Sequence, residues 1–182
     1  MSKETCPVIY WTLLDYKEWH FYIATTEQGL CYIGSQGKLF SETSSWAARR
    51  FPGSPLVEDE ARLRPYLTEL KEYLNGERQN FISPADLIGT PFQLDVWRAL
   101  REIPYGSTWS YSDIAERIGR PSAVRAVGTA IGANPVLITV PCHRVIGKNG
   151  SLTGFRGGLE MKKRLLELEQ GKDSKGALFL LL

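Results

Sequence analysis

Ile138-Thr139-Val140-Pro141-Cys142-His143-Arg144-Val145-Ile146 sets a thiol directly before an imidazole, between two runs of β-branched residues. A cysteine reacts as its thiolate, and neighbouring charges and proton acceptors set how much thiolate exists, so Cys142 beside a base is a candidate nucleophile. The β-branched flanks are stiff and favour extended backbone. They predict a short strand that carries Cys142 and positions its thiol before any ligand arrives.

Upstream, Asn134-Pro135 stops a helix read over about 123–133. That helix is slim, with Ala123, Ala126, Gly128, Ala130, Gly132 and Ala133, and Arg125 projects from it. Each Gly inside a helix costs about 1 kcal/mol relative to Ala, so close packing on the core or entry into a nucleic-acid groove has to compensate. Before it, Ser110 with Asp113 three residues on opens a helix through Ile118, and Gly119-Arg120-Pro121-Ser122 makes the turn between the two. Two short helices joined by a tight turn are the sequence form of a helix-turn-helix. Further back, Thr90-Pro91-Phe92-Gln93 combines an N-cap, a Pro at the first helical position and a Gln three after the cap. The helix it starts presents Phe92, Val96, Leu100 and Ile103 on one side, and Pro104-Tyr105-Gly106 ends it.

Downstream, the turn Gly147-Lys148-Asn149-Gly150 leads to Leu152–Gly158 and a last helix over about Leu159–Glu169. Glu169 follows the apolar Leu165 and Leu166 by four and three residues, which puts a carboxylate on or beside the buried stripe. Such a group needs a partner, and His143 is a candidate.

The first half reads differently. Val8–Leu14, Trp19–Thr26 and Gly29–Ser35 are short aromatic and β-branched strands, which predicts a three-stranded antiparallel meander. Helices follow near Ser44–Phe51 and over about Val57–Leu74, the latter with Leu63, Leu67, Leu70 and Leu74 in register. No chemistry stands out in residues 1–80, and 80–89 reads as a linker. The expectation is an α+β chain: an N-terminal scaffold over 1–85, a mostly helical C-terminal domain over 90–170 with the helix-turn-helix and the Cys strand, and a tail over 171–182.

The 182 residues, 43% of them hydrophobic with five Trp, suffice for a packed core. No apolar run approaches the roughly 18–20 residues of a membrane span, and Met1-Ser2-Lys3-Glu4 begins no signal peptide, so a soluble intracellular protein is expected. Three widely spaced Cys and two His argue against a disulfide framework and a zinc site, and Cys6 and Cys31 are read as small buried hydrophobes. Net charge is only +2, but residues 1–96 hold 9 Lys and Arg against 13 Asp and Glu, while 97–164 hold 11 against 4. A basic half around a reactive Cys suits a polyanion, though solvated basic helix faces would give the same count.

Pro141-Cys142-His143-Arg144-Val145, with Asn134-Pro135 before it and Gly157-Gly158-Leu159 and Lys163 to Glu169 after it, resembles the O6-alkylguanine-DNA alkyltransferases, closely from about Pro91 to Glu169 and more loosely before that. The resemblance implies direct reversal of damage in alkylated double-stranded DNA: one irreversible transfer of an alkyl group from guanine O6, or from thymine O4, to Cys142. His143 would take the thiol proton through a water, Glu169 would orient the imidazole, and Asn134 would brace the turn before the Cys. Arg125 would enter the duplex as the damaged base rotates out, Tyr111 would help rotate the 3′ phosphate, Ala126 would let the helix lie in the minor groove, and Lys148 joins this DNA-binding set. Ile131, Val145, Phe155, Arg156 and Gly157 would line the substrate pocket. The resemblance further implies no cofactor, no required zinc, no membrane, a monomer in the free state, and a cytoplasmic location, or a nuclear one in a eukaryote.

Relatives often carry Tyr and Ser where this chain has Phe155 and Arg156, which puts its tolerance for bulky alkyl groups in question. Two rivals from other classes are a lesion-binding protein that flips alkylguanine without reacting and a helix-turn-helix regulator. The first lacks the Cys, and the second needs more base-reading side chains than Arg125.

Overall fold

The computed structural model describes residues 6–171. Strands β1 (Ile9–Tyr16), β2 (Trp19–Thr25), β3 (Leu30–Ile33) and β4 (Leu56–Glu58) form one sheet in the order β3-β2-β1-β4. The first three make the expected antiparallel meander, and β4 adds a fourth strand parallel to β1, with Ile9 opposite Leu56. This corrects the three-stranded sheet and shortens the second helix, expected from about Val57, because Val57 and Glu58 belong to β4. Asp59 is the true N-cap: its side chain accepts from Arg62 N at 3.0 Å, leaving the preceding residues free to pair with β1.

Helix α1 (Phe40–Arg50) starts four residues before its expected position, and α2 (Glu60–Leu74) buries Leu63, Leu67, Leu70 and Leu74 as their spacing predicts. The sheet lies between the two. Leu14, Phe21, Ile23 and Ile33 join the main core with α2, while Ile9, Ala24, Cys31 and Tyr32 form a second cluster with Trp46 of α1. All four residues of β3 are buried because both faces are covered. Cys31 is therefore the buried hydrophobe expected, whereas Cys6 is exposed, since it precedes the sheet and packs on neither face.

Residues 80–89 have no regular structure, but they are tied down. Leu30 N donates to Pro84 O at 3.0 Å and Asp86 N to Leu30 O at 2.9 Å, so the stretch straps the edge of β3. Glu69 on α2 holds the strap from beneath, accepting from the backbone N–H groups of Ile82 and Ser83.

Helix α3 (Pro91–Leu100) opens with the capping box read from Thr90 and Gln93. Its Trp97 indole donates to Ala130 O at 2.8 Å, locking it to the helix pair α4 (Tyr111–Arg117) and α5 (Val124–Gly132). Ser110 and Asp113 form a second capping box at the start of α4. Two-residue strands β5 (Trp109–Ser110) and β6 (Val145–Ile146) pair in parallel, and α6 (Leu159–Glu169) closes the fold. The α+β class is as expected. The tail lies outside the described residues except for Gly171.

The Cys142 segment departs from expectation. Cys142–Arg144 is a 3-10 turn, and extended pairing begins only at Val145. Pro135 and Pro141 have no N–H to give to a ladder. The backbone instead bonds to itself, Val140 N to Val136 O at 3.1 Å and Cys142 N to Val140 O at 2.8 Å, and Ile138 takes a φ of 70°. Val136, Leu137, Ile138 and Val140 are all buried, so these apolar side chains serve core packing, which overrides their preference for strand.

Candidate active site

Asn134 is the first fixed point of the site. It is wholly buried at the end of α5. Its Oδ1 accepts from Val136 N at 2.9 Å, and its Nδ2 donates to Val140 O at 2.9 Å and to Cys142 Sγ at 3.1 Å. Only this orientation of the amide puts a donor on each acceptor and an acceptor on the donor. One side chain thus supplies the Val136 N–H with its acceptor, gives Val140 O a second donor and reaches the sulfur as well.

Cys142 is 3% exposed. Burial raises its pKa above the ordinary thiol value, opposed by the Asn134 hydrogen bond and by the charges of Arg156 and Lys162. The resting sulfur is a thiol, so reaction needs a base.

His143, also wholly buried, has its Nε2 2.8 Å from Glu169 Oε1, while its Nδ1 has no protein partner. Burial lowers its pKa below the usual value, against the pull of Glu169. The imidazole is thus neutral at pH 7. With Nε2–H donating to the carboxylate, Nδ1 keeps its lone pair and is the basic position.

Glu169 collects donors from several directions. Burial pushes its pKa up, but hydrogen bonds from His143, Arg144 and Tyr73 outweigh that and bring it to about 2. Arg144 donates through Nε at 2.9 Å and Nη2 at 2.9 Å, and its Nη1 binds Ile103 O at 2.6 Å. Gly106 N reaches Oε2 at 3.1 Å. The Pro104-Tyr105-Gly106 turn that follows α3 is therefore part of the carboxylate's cradle.

The structure thus brings Cys142, His143, Asn134 and Glu169 into one buried cluster, and three further residues belong to it. Arg144 was in the quoted motif but had no role there. Tyr73 comes from α2, in the half where no chemistry was expected, and its hydroxyl donates to Glu169 Oε1. Lys162 on α6 donates to Val145 O at 2.5 Å and Thr153 O at 2.7 Å, and burial lowers its pKa to about 8. For Tyr73 and Lys162 the only signal was a polar residue amid an apolar helical stripe.

The remaining site candidates are distributed around this cluster. Val145 follows the turn and is buried, and Ile131 is buried in the main core. Phe155 packs half-buried against that core, and a Cβ at Gly157 would lie 2.5 Å from Met161 Sδ and 2.6 Å from the Phe155 ring, so any larger residue there has to displace both side chains. Arg156 is placed otherwise than as a cation lining a pocket. Its guanidinium is occupied by Asn134 O at 3.1 Å, Tyr32 Oη at 3.1 Å, Ile33 O at 2.6 Å and Pro135 O at 3.0 Å, two oxygens from β3 and two from the segment that follows α5. It staples the N-terminal sheet to the active-site loops.

On the outer side, Arg125, Ala126, Thr129, Gly132 and Ala133 form the exposed face of α5, while Val127, Ala130 and Ile131 face inward. Nothing lies within 4 Å of a Cβ placed at Gly132, so the packing does not require a glycine there. Tyr111, half-buried at the start of α4, accepts from Thr153 Oγ1 at 3.1 Å. Lys148 is exposed in its turn. Among the described residues, no group of three or more His, Cys, Asp or Glu is placed to hold a metal ion, and no helix is long and apolar enough to cross a membrane.

Comparison with known proteins gives concordant matches. The family model described as the DNA-binding domain of 6-O-methylguanine DNA methyltransferase matches residues 91–171, and that of its ribonuclease-like domain matches 9–87. The inducible methylated-DNA–protein-cysteine methyltransferase of Bacillus subtilis is 63% identical over 169 residues, 93% of this chain and 94% of its own length. Among solved structures, the O6-methylguanine methyltransferase of Mycobacterium tuberculosis superposes with a TM-score of 0.77 at 36% identity, over 94% of this chain and 96% of that one. The M. tuberculosis OGT in complex with DNA gives 0.75 at 39% identity, over 88% and 92%.

Proposed function

Since this chain belongs to the 6-O-methylguanine DNA methyltransferase family, we propose that it is a methylated-DNA–protein-cysteine methyltransferase, repairing DNA by moving an alkyl group from guanine O6 to Cys142. The observation that carries this reading is the buried thiol held by Asn134 beside a neutral imidazole whose Nε2 is tied to Glu169. His143 Nδ1 accepts the thiol proton, through a water, and the imidazolium is stabilised by the Glu169 carboxylate. The thiolate sulfur attacks the alkyl carbon, a C–S bond forms as the C–O6 bond breaks, and guanine leaves after taking up one proton. The product thioether has no leaving group to return, so each molecule acts once.

The target atom is hidden in the base stack, and extruding the nucleotide costs a few kcal/mol that contacts along the groove have to offset. The exposed face of α5 suits that task. Its small residues let the helix backbone approach closely, Arg125 fills the gap in the stack, and Tyr111, Ala126 and Lys148 contact the strand. That Gly132 is not needed for packing supports entry into the groove as the compensation for glycine in this helix. Ile131, Val145, Phe155, Gly157 and the backbone of Arg156 form the walls around the flipped base. The two units read over 1–85 and 90–170 divide this work into support and chemistry, in the cytoplasm and as a monomer.

An oligonucleotide bearing O6-[methyl-³H]methylguanine tests the reading. Label is expected to move to protein at no more than one equivalent and to stay on DNA with Cys142→Ser. Tight binding to the lesion with no transfer identifies a lesion binder instead, and sequence-specific binding that ignores the lesion identifies a regulator.

A further inference from the structure

Tyr73 sits in α2, outside the helix-turn-helix unit, and its side chain is wholly buried. Its ring packs against Phe81 at 5.3 Å and edge-on to Tyr105 at 6.0 Å. Packing alone does not account for its hydroxyl, which donates to Glu169 Oε1 and lies 3.3 Å from His143 Nε2. It therefore stands at the joint between the two catalytic partners. We propose that Tyr73 is a positioning residue for alkyl transfer: its hydroxyl shares Glu169 Oε1 with His143 and so fixes how strongly the carboxylate pulls on the imidazole. The inference rests on the methyltransferase reading of this site.

The physical argument concerns competition for one oxygen. Oε1 accepts from His143, Tyr73 and Arg144 at once, and each donor draws down the negative charge available to the others. A carboxylate too strongly coupled to Nε2–H favours the imidazolium and leaves Nδ1 protonated before the thiol has given up its proton. Tyr73 limits that coupling. It remains a donor at every working pH, because burial and the Glu169 charge raise its pKa well above that of an ordinary phenol. The other titratable or charged groups facing the pair are Arg144 beside Glu169, Tyr105 across the turn, and Cys142 and Lys162 near the imidazole. A Tyr73→Phe change leaves all of these in place and keeps the aromatic packing.

The test combines two readouts on Tyr73→Phe. One is the single-turnover rate of transfer from O6-methylguanine DNA between about pH 5 and about pH 8. The other is a ¹⁵N NMR titration of His143 in the protein carrying Cys142→Ser, which requires no alkyl transfer. The expected result is an upward shift of about half to one pH unit in both the His143 titration and the acid-side midpoint of the rate, so that transfer on the acid side of that midpoint slows by about three- to tenfold. Phe81→Leu, which loosens the same ring, is expected to lower the unfolding temperature without moving either midpoint. Midpoints that coincide with those of the unmodified protein, whatever the change in stability, would reduce Tyr73 to a packing residue and overturn the proposal. Should the unmodified protein transfer no alkyl group, the functional reading fails, and the His143 titration still decides whether Tyr73 governs the imidazole.

Discussion

At the scale of single residues, Asn134 and Glu169 hold the site by satisfying groups that burial would otherwise leave unpaired. Asn134→Ala strands the Val136 N–H in the interior and takes away the side-chain donor that Val140 O and Cys142 Sγ share. Urea denaturation should show a loss of about 2–4 kcal/mol, and transfer should fall even where the protein stays folded. Glu169 makes stability depend on pH in a definite direction. Its folded pKa of about 2 lies below the 4.5 of an ordinary glutamate, so its contribution is fully present above pH 4.5 and is lost as the pH falls toward 2. That contribution is on the order of 3 kcal/mol. The stability difference between the unmodified protein and Glu169→Gln, followed by urea titration from neutral pH downward, should narrow through this window. A pH-independent difference would show that the carboxylate's charge is not what the cradle binds.

At the scale of elements, α5 separates what folding requires from what binding requires. Gly132→Ala places a methyl group in open space on a helix, so it should stabilise the protein by about 0.5–1 kcal/mol in thermal unfolding. Ala126→Phe on the same exposed face should change stability by no more than about 0.5 kcal/mol, yet weaken binding to methylated duplex by about tenfold or more in a fluorescence anisotropy titration. Helices with strong local signals were legible in sequence. The capping boxes at Thr90 and Ser110 and the leucine spacing of α2 each fix a structure that neighbours only reinforce. The elements misread were those settled by distant partners. β4 exists because β1 offers it an edge, and the Cys142 turn is braced by Asn134, which adds to the turn's own backbone bonds. A run of β-branched residues registers burial and strand in the same letters, and no local rule separates the two.

At the scale of the molecule, the two halves meet through Arg156 and Tyr73 as well as through a shared core. Arg156→Ala leaves the carbonyls of Ile33, Asn134 and Pro135 without their guanidinium donor, and should cost about 2–4 kcal/mol in thermal unfolding while speeding proteolysis in the 80–89 strap. Arg156→Lys should recover only part of this, since an ammonium cannot span four oxygens set out for a planar fork. Neither contact could be anticipated from spacing, because each joins positions about a hundred residues apart. The chemistry-bearing motif was legible, and so was its need for a carboxylate; the support given by the first half was not. The 3% exposure of Cys142 has a consequence for a protein that reacts only once. A molecule consumed by a stray electrophile is lost to repair, and here a freely diffusing alkylating agent or peroxide meets a shielded, protonated sulfur. Exposed Cys6 stands outside as the easier target. Shelter of this kind sets how long an unused molecule stays competent while it waits for a lesion.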